Sequence, residues 1–266
     1  MIAAVIADRM FRVKGLIFMK KFICVILILA ALLTFASCKG KGDDETGTTT
    51  YAVPVIEEST HSKEFKDESG RVVFTVDVVI PKIVDDCDPK VAEYINGVAL
   101  DIFNEACEFA QSNLEYASKD STPWAKTITF ETTLLDNRYA CFLVNDVFSV
   151  NGDIPTLKTL CFDIRNGATC KLRDFAINQD DPKSCFDLFV SDTVAKVLPK
   201  RFHVSAYITD DVLDRLDEIM SPENFYLTEN GMGFYFDKVL VDERLSGNFR
   251  MTFTWFELTS NFAIPE

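Results

Sequence analysis

The hydrophobic positions of the chain switch between the period of a strand and the period of a helix. In residues 72–80 every second side chain is apolar, which predicts a strand with one buried face. The turn-forming Glu68-Ser69-Gly70 before it predicts a hairpin with residues 53–66. In residues 91–109 apolar side chains instead recur every three or four positions. This pattern predicts a long amphipathic helix, which Asp88-Pro89 caps and opens.

The rest of the chain is dominated by strand patterns. Residues 127–134 alternate, and residues 139–150 are apolar on both faces, which predicts a central strand. Residues 160–164 lead through Arg165-Asn166-Gly167 to a return strand at 169–172. Helices are predicted at 182–198 and 209–220, the latter capped by Thr209, and strands near 224–228, 233–239 and 248–258. Together these elements predict an α+β fold, a mainly antiparallel sheet with one long helix and two or three shorter helices packed on it.

Residues 19–37 have the layout of an export signal. A lysine pair precedes an apolar run over residues 22–35, and small residues follow. Because this run is shorter than the roughly 20 residues of a membrane span, we expect a cleaved leader rather than the alternative, a retained helix. A start at Met19 gives a leader of normal form. We therefore expect residues 1–18 to reflect a misassigned start codon.

The end of this segment, Phe35-Ala36-Ser37-Cys38, resembles the lipobox of bacterial lipoproteins. The resemblance implies that lipid is attached to the sulfur of Cys38, which becomes the mature N-terminus in the cell envelope, on the extracytoplasmic side of the membrane. The open alternative is an ordinary secretory signal in which Cys38 has no role. Residues 38–52 are almost devoid of apolar side chains and predict a flexible tether. A single domain is then expected over residues 53–266.

Acidic residues outnumber basic residues by 41 to 27, which gives a formal net charge of −14. From Cys38 onward the charge is −18, because residues 1–37 carry five basic residues and one acidic residue. Such a chain lacks the basic face that a nucleic-acid backbone requires, so we exclude a nucleic-acid partner. The charge favours cationic partners, and it leaves attachment to the membrane to the lipid anchor.

Candidate chemistry is sparse in this sequence. The two histidines, His61 and His203, are too few for a three-histidine zinc site. His203 could act as a general base, but without a nucleophile motif a histidine of the loop or core is the favoured interpretation. Three acidic pairs stand where carboxylates cap helices and loops, namely Asp85-Asp86, Asp180-Asp181 and Asp210-Asp211. We therefore predict no catalytic residue, no metal site and no cofactor.

Six cysteines follow Cys38, at positions 87, 107, 141, 161, 170 and 185. In an exported protein an even number permits up to three disulfides, in 15 possible pairings. Cys141 and Cys161 lie on strands that are adjacent if the turn between them is centred near Asn151, so they are the favoured pair. Buried free thiols are an equal alternative.

Two segments carry a resemblance to a family of extracytoplasmic bacterial domains. Residues 225–236, Phe-Tyr-Leu-Thr-Glu-Asn-Gly-Met-Gly-Phe-Tyr-Phe, resemble its F-x-L-T-x-x-G pattern with alternating apolar residues after it. Residues 161–175 resemble its hairpin and connector, with an aspartate, a glycine and a terminal Asp-Phe pair at the matching places. The family is the RsiV-like/PdaC-like domain of a lysozyme-sensing anti-sigma factor and of a peptidoglycan deacetylase. The resemblance covers roughly residues 53–258.

The resemblance implies a non-enzymatic binding or sensing module for a lysozyme-like cationic protein or for peptidoglycan. Where the family carries a histidine-containing loop after its central strand, this chain has Asn151, Gly152 and Asp153, which we take as the candidate ligand loop. Two alternatives stay open. The protein could be a cell-envelope hydrolase or an accessory of a deacetylase, or it could be a structural lipoprotein of the envelope.

Overall fold

The structure, a computed structural model, describes residues 52–201, 210–241 and 247–264. In these residues the strands form two sheets, and the predicted α+β fold with its mainly antiparallel pairing is confirmed. The first sheet contains, in spatial order, β1 (Val55–Lys66), β2 (Val72–Asp85), β3 (Trp124–Leu135), β4 (Tyr139–Ser149), β5 (Asp153–Asp163) and β6 (Ala168–Thr169). The second contains β7 (Phe225–Thr228), β8 (Gly231–Asp237) and β9 (Asn248–Thr254).

One long helix and several short ones accompany the sheets. The helices are α1 (Pro89–Ser112), α2 (Leu114–Ala117), α3 (Pro182–Leu188), α4 (Ala195–Arg201), α5 (Asp210–Asp214), α6 (Leu216–Ile219) and α7 (Trp255–Leu258). As predicted, α1 begins at a proline behind Asp88, whose carboxylate accepts hydrogen bonds from the N–H groups of Lys90 and Val91. A π-helical turn, Phe189–Val194, joins α3 to α4. None of the described helices combines the length and hydrophobicity needed to cross a membrane.

A parallel pair interrupts the antiparallel order of the first sheet. Phe74–Val78 of β2 pairs with Trp124–Ile128 of β3, and α1 lies in the connection between the two strands. Beyond this paired stretch, the side-chain amide of Asn96 on α1 bonds the backbone of Ile83. Its oxygen accepts from the Ile83 N–H at 2.8 Å, and its nitrogen donates to the Ile83 carbonyl at 2.9 Å. The helix thus satisfies strand backbone groups that lie beyond the reach of β3.

Both faces of the first sheet are buried at β4, as predicted for a central strand. Phe142 and Val144 pack into a core with α1, whereas Cys141 and Leu143 pack into a second core with β7–β9 and the C-terminal helices. Successive side chains of a strand point to opposite faces of the sheet, so neighbouring residues of β4 enter different cores. The sheet therefore separates two hydrophobic cores, and only the first contains α1.

Three predicted elements differ in the structure. The return strand at 169–172 is only the two-residue β6, because the Asp174 carboxylate accepts from the Lys171 N–H and a 3-10 turn over Leu172–Phe175 follows. The strand at 248–258 ends at Thr254, where Thr254 and Glu257 form a capping box that starts α7. The helix at 209–220 is divided into α5 and α6, and its predicted cap, Thr209, lies outside the described residues.

Candidate functional site

The candidate ligand loop is the turn between β4 and β5. Ser149 pairs with Asp153, so the turn is centred on Asn151 as predicted. Asn151 and Gly152 both have positive φ, 55° and 142°, and the Ser149 hydroxyl donates to the Asp153 carboxylate at 2.6 Å. Positive φ at consecutive residues favours asparagine and glycine, which explains this loop sequence.

An aromatic cluster supports this turn from below. Phe148 stacks on Phe74 at a centroid distance of 6.0 Å and meets Phe109 of α1 and Trp124 edge-on at 5.1 and 5.6 Å. The indole N–H of Trp124 donates to the Asp120 carboxylate at 2.5 Å. These rings fix the end of the β4–β5 hairpin to α1, so the loop is held on a packed base.

A groove continues from this hairpin along the same face of the sheet. It lies between α1 and β3–β5 and has a volume of about 420 Å³. The floor pair, Asp146 and Thr156, is three residue pairs from Ser149 and Asp153, or about 10 Å along the strands. The lining residues are Ile102, Glu105, Ala106, Phe109, Lys126, Ile128, Val144, Asp146, Thr156, Leu157 and Lys158.

Two ion pairs organise the polar groups of this groove. On the floor, Lys126 Nζ lies 2.7 Å from Asp146 Oδ1, and the side chains are only 14% and 27% exposed. The same ammonium lies 4.8 Å from the centre of the Phe109 ring, a cation–π contact. Across the groove, Lys158 Nζ on β5 lies 3.5 Å from Glu105 Oε2 on α1. The groove therefore combines apolar lining residues with fixed charges of both signs.

The exposed side of α1 is acidic along its length. Glu93, Asp101, Glu105 and Glu108 are all exposed, while Lys90 is the only base in this helix. Asp101, Glu105 and Glu108 follow each other at helical spacing and share one side of the helix. Because Glu105 also reaches the groove, the acidic face of α1 and the groove form one continuous candidate surface.

Other predicted candidates are not part of this surface. His61 lies on β1, where its ring nitrogen is 2.9 Å from the Ser59 hydroxyl and its ring is 5.2 Å from that of Phe103. His203, the export signal and Cys38 lie outside the described residues. The acid Asp181 caps α3 by accepting from the Ser184 N–H. Among the residues that the structure describes, no three histidine, cysteine or acidic side chains are close enough to hold a metal ion.

Cys141 and Cys161 are directly opposite each other on β4 and β5, as expected from the turn at Asn151. Both are free thiols in this structure, and the disulfide stays a prediction. Burial raises the pKa of Cys161 well above its ordinary value, and hydrogen bonds with Cys141 and Cys170 raise it further. Both thiols belong to the second core and are remote from the acidic surface.

Sequence reasoning identified the loop and missed the groove. Lys126 and Asp146 look like ordinary polar positions of strands, and their pairing depends on the register of β3 against β4. One signal was available: Asn145-Asp146 interrupts a strand that is otherwise apolar on both faces. A carboxylate at such a position requires a nearby partner, and that partner is Lys126.

No family model and no curated protein matches this sequence. Solved structures match the fold, and two of them belong to the DUF3298 family. A member of the DUF3298 family from Bacteroides fragilis is 13% identical, with a TM-score of 0.53, over 81% of this chain and 96% of that chain. A DUF3298 family protein from Pseudomonas aeruginosa is 10% identical, with a TM-score of 0.55, over 80% of this chain and 96% of that chain. At these identities the likeness is one of fold, and the chain has the fold of DUF3298 family proteins.

Proposed function

We propose that this protein is a lipid-anchored binding or sensing module of the bacterial cell envelope that recognises a cationic protein such as lysozyme. The observation that carries the proposal is the acidic outer face of α1, with four exposed carboxylates and one base. The fold shared with DUF3298 family proteins and the RsiV-like/PdaC-like sequence resemblance support it. The export signal and lipobox support the anchored location.

The mechanism is electrostatic recognition at one face of the domain. A row of carboxylates on a rigid helix attracts a positive surface over a distance of about one Debye length, roughly 8 Å at physiological salt. Such complementarity raises the association rate and orients the partner before contacts form. The loop at Asn151 and the groove beside α1 then supply the short-range contacts. This function requires no catalytic group.

Neutralising the acidic face should weaken lysozyme binding. In the full chain, purified in detergent, we combine Glu93→Gln, Asp101→Asn and Glu108→Gln and leave Glu105 with its partner Lys158. Three rim charges at a few tenths to 1 kcal/mol each predict a loss of about tenfold in affinity at ~50 mM salt. The loss should arise mainly in the association rate and shrink at ~300 mM salt. Surface plasmon resonance measures both.

A matched control separates the position of the charges from their number. Asp214→Asn, Glu223→Gln and Glu229→Gln remove three exposed carboxylates from other elements and give the same net charge. This triple variant should change lysozyme affinity by less than about twofold. Equal losses in the two triple variants, or no lysozyme binding by the unmodified chain, would contradict recognition by α1.

The anchor has its own test. Cells that express the full chain should incorporate radiolabelled palmitate into it, and the Cys38→Ala variant should lose the label and remain in the uncleaved form. A labelled Cys38→Ala protein, or an unlabelled but correctly cleaved wild type, would instead favour an ordinary secretory signal. Thr50→Ala, in the expected tether, is the control and should keep the label.

The groove favours a second candidate, a cell-wall glycan. Hydrogen-bonding groups held beside the half-exposed Phe109 ring are a combination that suits sugars. Co-sedimentation with purified peptidoglycan provides the test, and glycan binding that the α1 triple variant leaves unchanged would favour the groove. Release of sugar or acetate during this assay would favour the hydrolase or deacetylase alternative. Binding of neither ligand would favour a structural lipoprotein.

A further inference from the structure

Three cysteines form a row across neighbouring strands on one face of the first sheet. Cys141 on β4 is directly opposite Cys161 on β5. The N–H of Cys170, which follows β6, donates to the carbonyl of Cys161 at 2.8 Å. All three side chains pack in or against the same core, and the thiol of Cys161 is hydrogen-bonded to both of the others. Cys161 is therefore a neighbour shared by two thiols.

The backbone geometry at Cys161 allows a disulfide in either direction. The carbonyl of Cys161 accepts from Cys170, and that of Cys141 accepts from the Thr133 hydroxyl, so neither carbonyl points at the other strand of the β4–β5 pair. Such a non-hydrogen-bonded pair has a Cα separation of about 4.5 Å, and a hydrogen-bonded pair has about 5.5 Å. Both values lie within the range of about 4.4–6.8 Å that disulfides span.

The third combination is excluded by distance. Cys141 and Cys170 have β5 between them, so their backbones are two strand spacings, or about 9.5 Å, apart. Cα atoms more than about 7 Å apart cannot be bridged without movement of the backbone. Any exchange of a disulfide between Cys141 and Cys170 must therefore pass through Cys161.

Exposure sets the direction of this exchange. Cys141 and Cys161 are 0% and 1% exposed, whereas Cys170 is partly exposed. A disulfide oxidant from solution therefore meets Cys170 first. At the buried end, burial opposes ionisation of Cys141, but hydrogen bonds to its sulfur outweigh burial and lower its pKa, among them one from the backbone N–H of Leu227 at 3.3 Å. They favour the thiolate form that attacks a disulfide.

We propose that Cys170, Cys161 and Cys141 form a thiol–disulfide relay that carries oxidation from the surface to a buried Cys141–Cys161 bond. The Cys170 thiolate attacks a low-molecular-weight disulfide such as oxidised glutathione, forms a mixed disulfide and releases one thiol. The Cys161 thiol, which burial keeps protonated and which is hydrogen-bonded to Cys170, then attacks the Cys170 sulfur. Its proton goes to the departing thiolate, which leaves as the second thiol. Finally, the Cys141 thiolate attacks the Cys161 sulfur, and Cys170 leaves as a thiolate.

The three exchange steps balance in atoms and electrons without any other reactant. Cys141 and Cys161 together lose two electrons and two protons, and the oxidant is reduced from one disulfide to two thiols. Cys170 returns to its starting state and can receive the next oxidant. The buried product is shielded from reducing agents in solution, because an attacking thiolate needs access to one of the sulfurs.

The test is a time course of oxidation read by peptide mapping. The full chain in detergent, first reduced, is treated with oxidised glutathione, alkylated and digested with trypsin without reduction. Cleavage after Arg138, Lys158, Arg165 and Lys171 places each cysteine on its own peptide, namely 139–158, 159–165 and 166–171. We expect glutathione on 166–171 first, then a link of 159–165 to 166–171, and finally a link of 139–158 to 159–165.

Three serine variants define the outcomes. In Cys170→Ser the final link should form at least about tenfold more slowly, because the exposed entry point is absent. In Cys141→Ser oxidation should stop at the link between 159–165 and 166–171. Cys185→Ser, a buried cysteine outside the row, is the control and should follow the wild-type course. The wild-type time course requires no variant, so it tests the relay even if a substitution prevents folding.

Two results would overturn the relay. One is a link between 139–158 and 166–171, in the wild type or in Cys161→Ser, because the structure places those cysteines out of reach. The other is a wild-type chain in which the final link forms without earlier modification of Cys170, or does not form. Neither outcome bears on lysozyme binding, so the relay and the proposed function are tested independently.

Discussion

Gly233→Ala is expected to destabilise the fold by more than about 4 kcal/mol, enough to prevent accumulation of the folded protein. A Cβ atom added at Gly233 would lie 2.0 Å from Cζ of the Tyr226 ring and 2.3 and 2.4 Å from two further ring carbons. Gly233 and Tyr226 are paired on β8 and β7, and the tyrosine is 6% exposed, so its ring has no free space to enter. The ring covers the glycine, and any side chain displaces it.

A helix glycine provides the control for this substitution. A methyl group added at Gly97 on α1 would meet no atom within 4 Å, so Gly97→Ala should be neutral or stabilise the protein by up to about 1 kcal/mol through helix propensity. Urea unfolding of the full chain in detergent, followed by tryptophan fluorescence, measures both free energies. A Gly233→Ala protein within about 1 kcal/mol of the wild type would contradict the ring contact.

A second substitution tests whether Tyr226 is the cause. Combining Gly233→Ala with Tyr226→Leu removes the ring that the new methyl group meets, at the cost of some buried area. The double variant should be more stable than Gly233→Ala alone, which in a double-mutant cycle appears as a coupling of at least about 1 kcal/mol. Simple addition of the two single effects would show that the strain at Gly233 lies elsewhere.

The local elements of this fold were predictable because each follows a short-range rule. The hairpin of β1 and β2 follows from alternation and the turn at Glu68-Ser69-Gly70, and the start of α1 follows from Asp88 and Pro89. The end of β9 could have been predicted as well, since Thr254-x-x-Glu257 is a capping-box sequence. Its alternating apolar residues continue to Trp255, and the periodicity therefore concealed the cap.

The sequence did not predict how elements that are distant along the chain pair and pack. Nothing in the local sequence indicates that β2 and β3 pair in parallel, because that pairing depends on how α1, which connects them, packs against the sheet. The same packing decides that Glu105 faces Lys158, and so decides where the groove lies. The loop at Asn151 was predictable because asparagine and glycine are the residues that favour positive φ, which is a property of the local sequence. The groove beside it depends on tertiary packing.

Phe189→Ala is expected to cost about 3–5 kcal/mol of stability. Phe189 is 0% exposed, and its ring lies 4.7, 5.0 and 5.6 Å from the rings of Phe234, Phe253 and Phe262. Truncation therefore removes three aromatic contacts as well as the transfer free energy of the ring, and the closely packed neighbours can fill the space only in part. Denaturant unfolding with circular dichroism measures the loss.

Phe256→Ala is the matched control, because the same change is made at a ring that is 87% exposed on α7. It should alter stability by no more than about 0.5 kcal/mol.

The comparison also locates the cooperative unit. Phe189 belongs to the core of β7–β9, which packs on the opposite face of the first sheet from α1. If the two faces unfold together, Phe189→Ala should weaken the α1 core to the same extent. Trp124 packs against that core and Trp255 against the other one, so the fluorescence of Trp124 is measured in a Trp255→Phe background and should report the same midpoint as circular dichroism. Separate midpoints would mean that the six-stranded sheet and α1 form an independently stable unit.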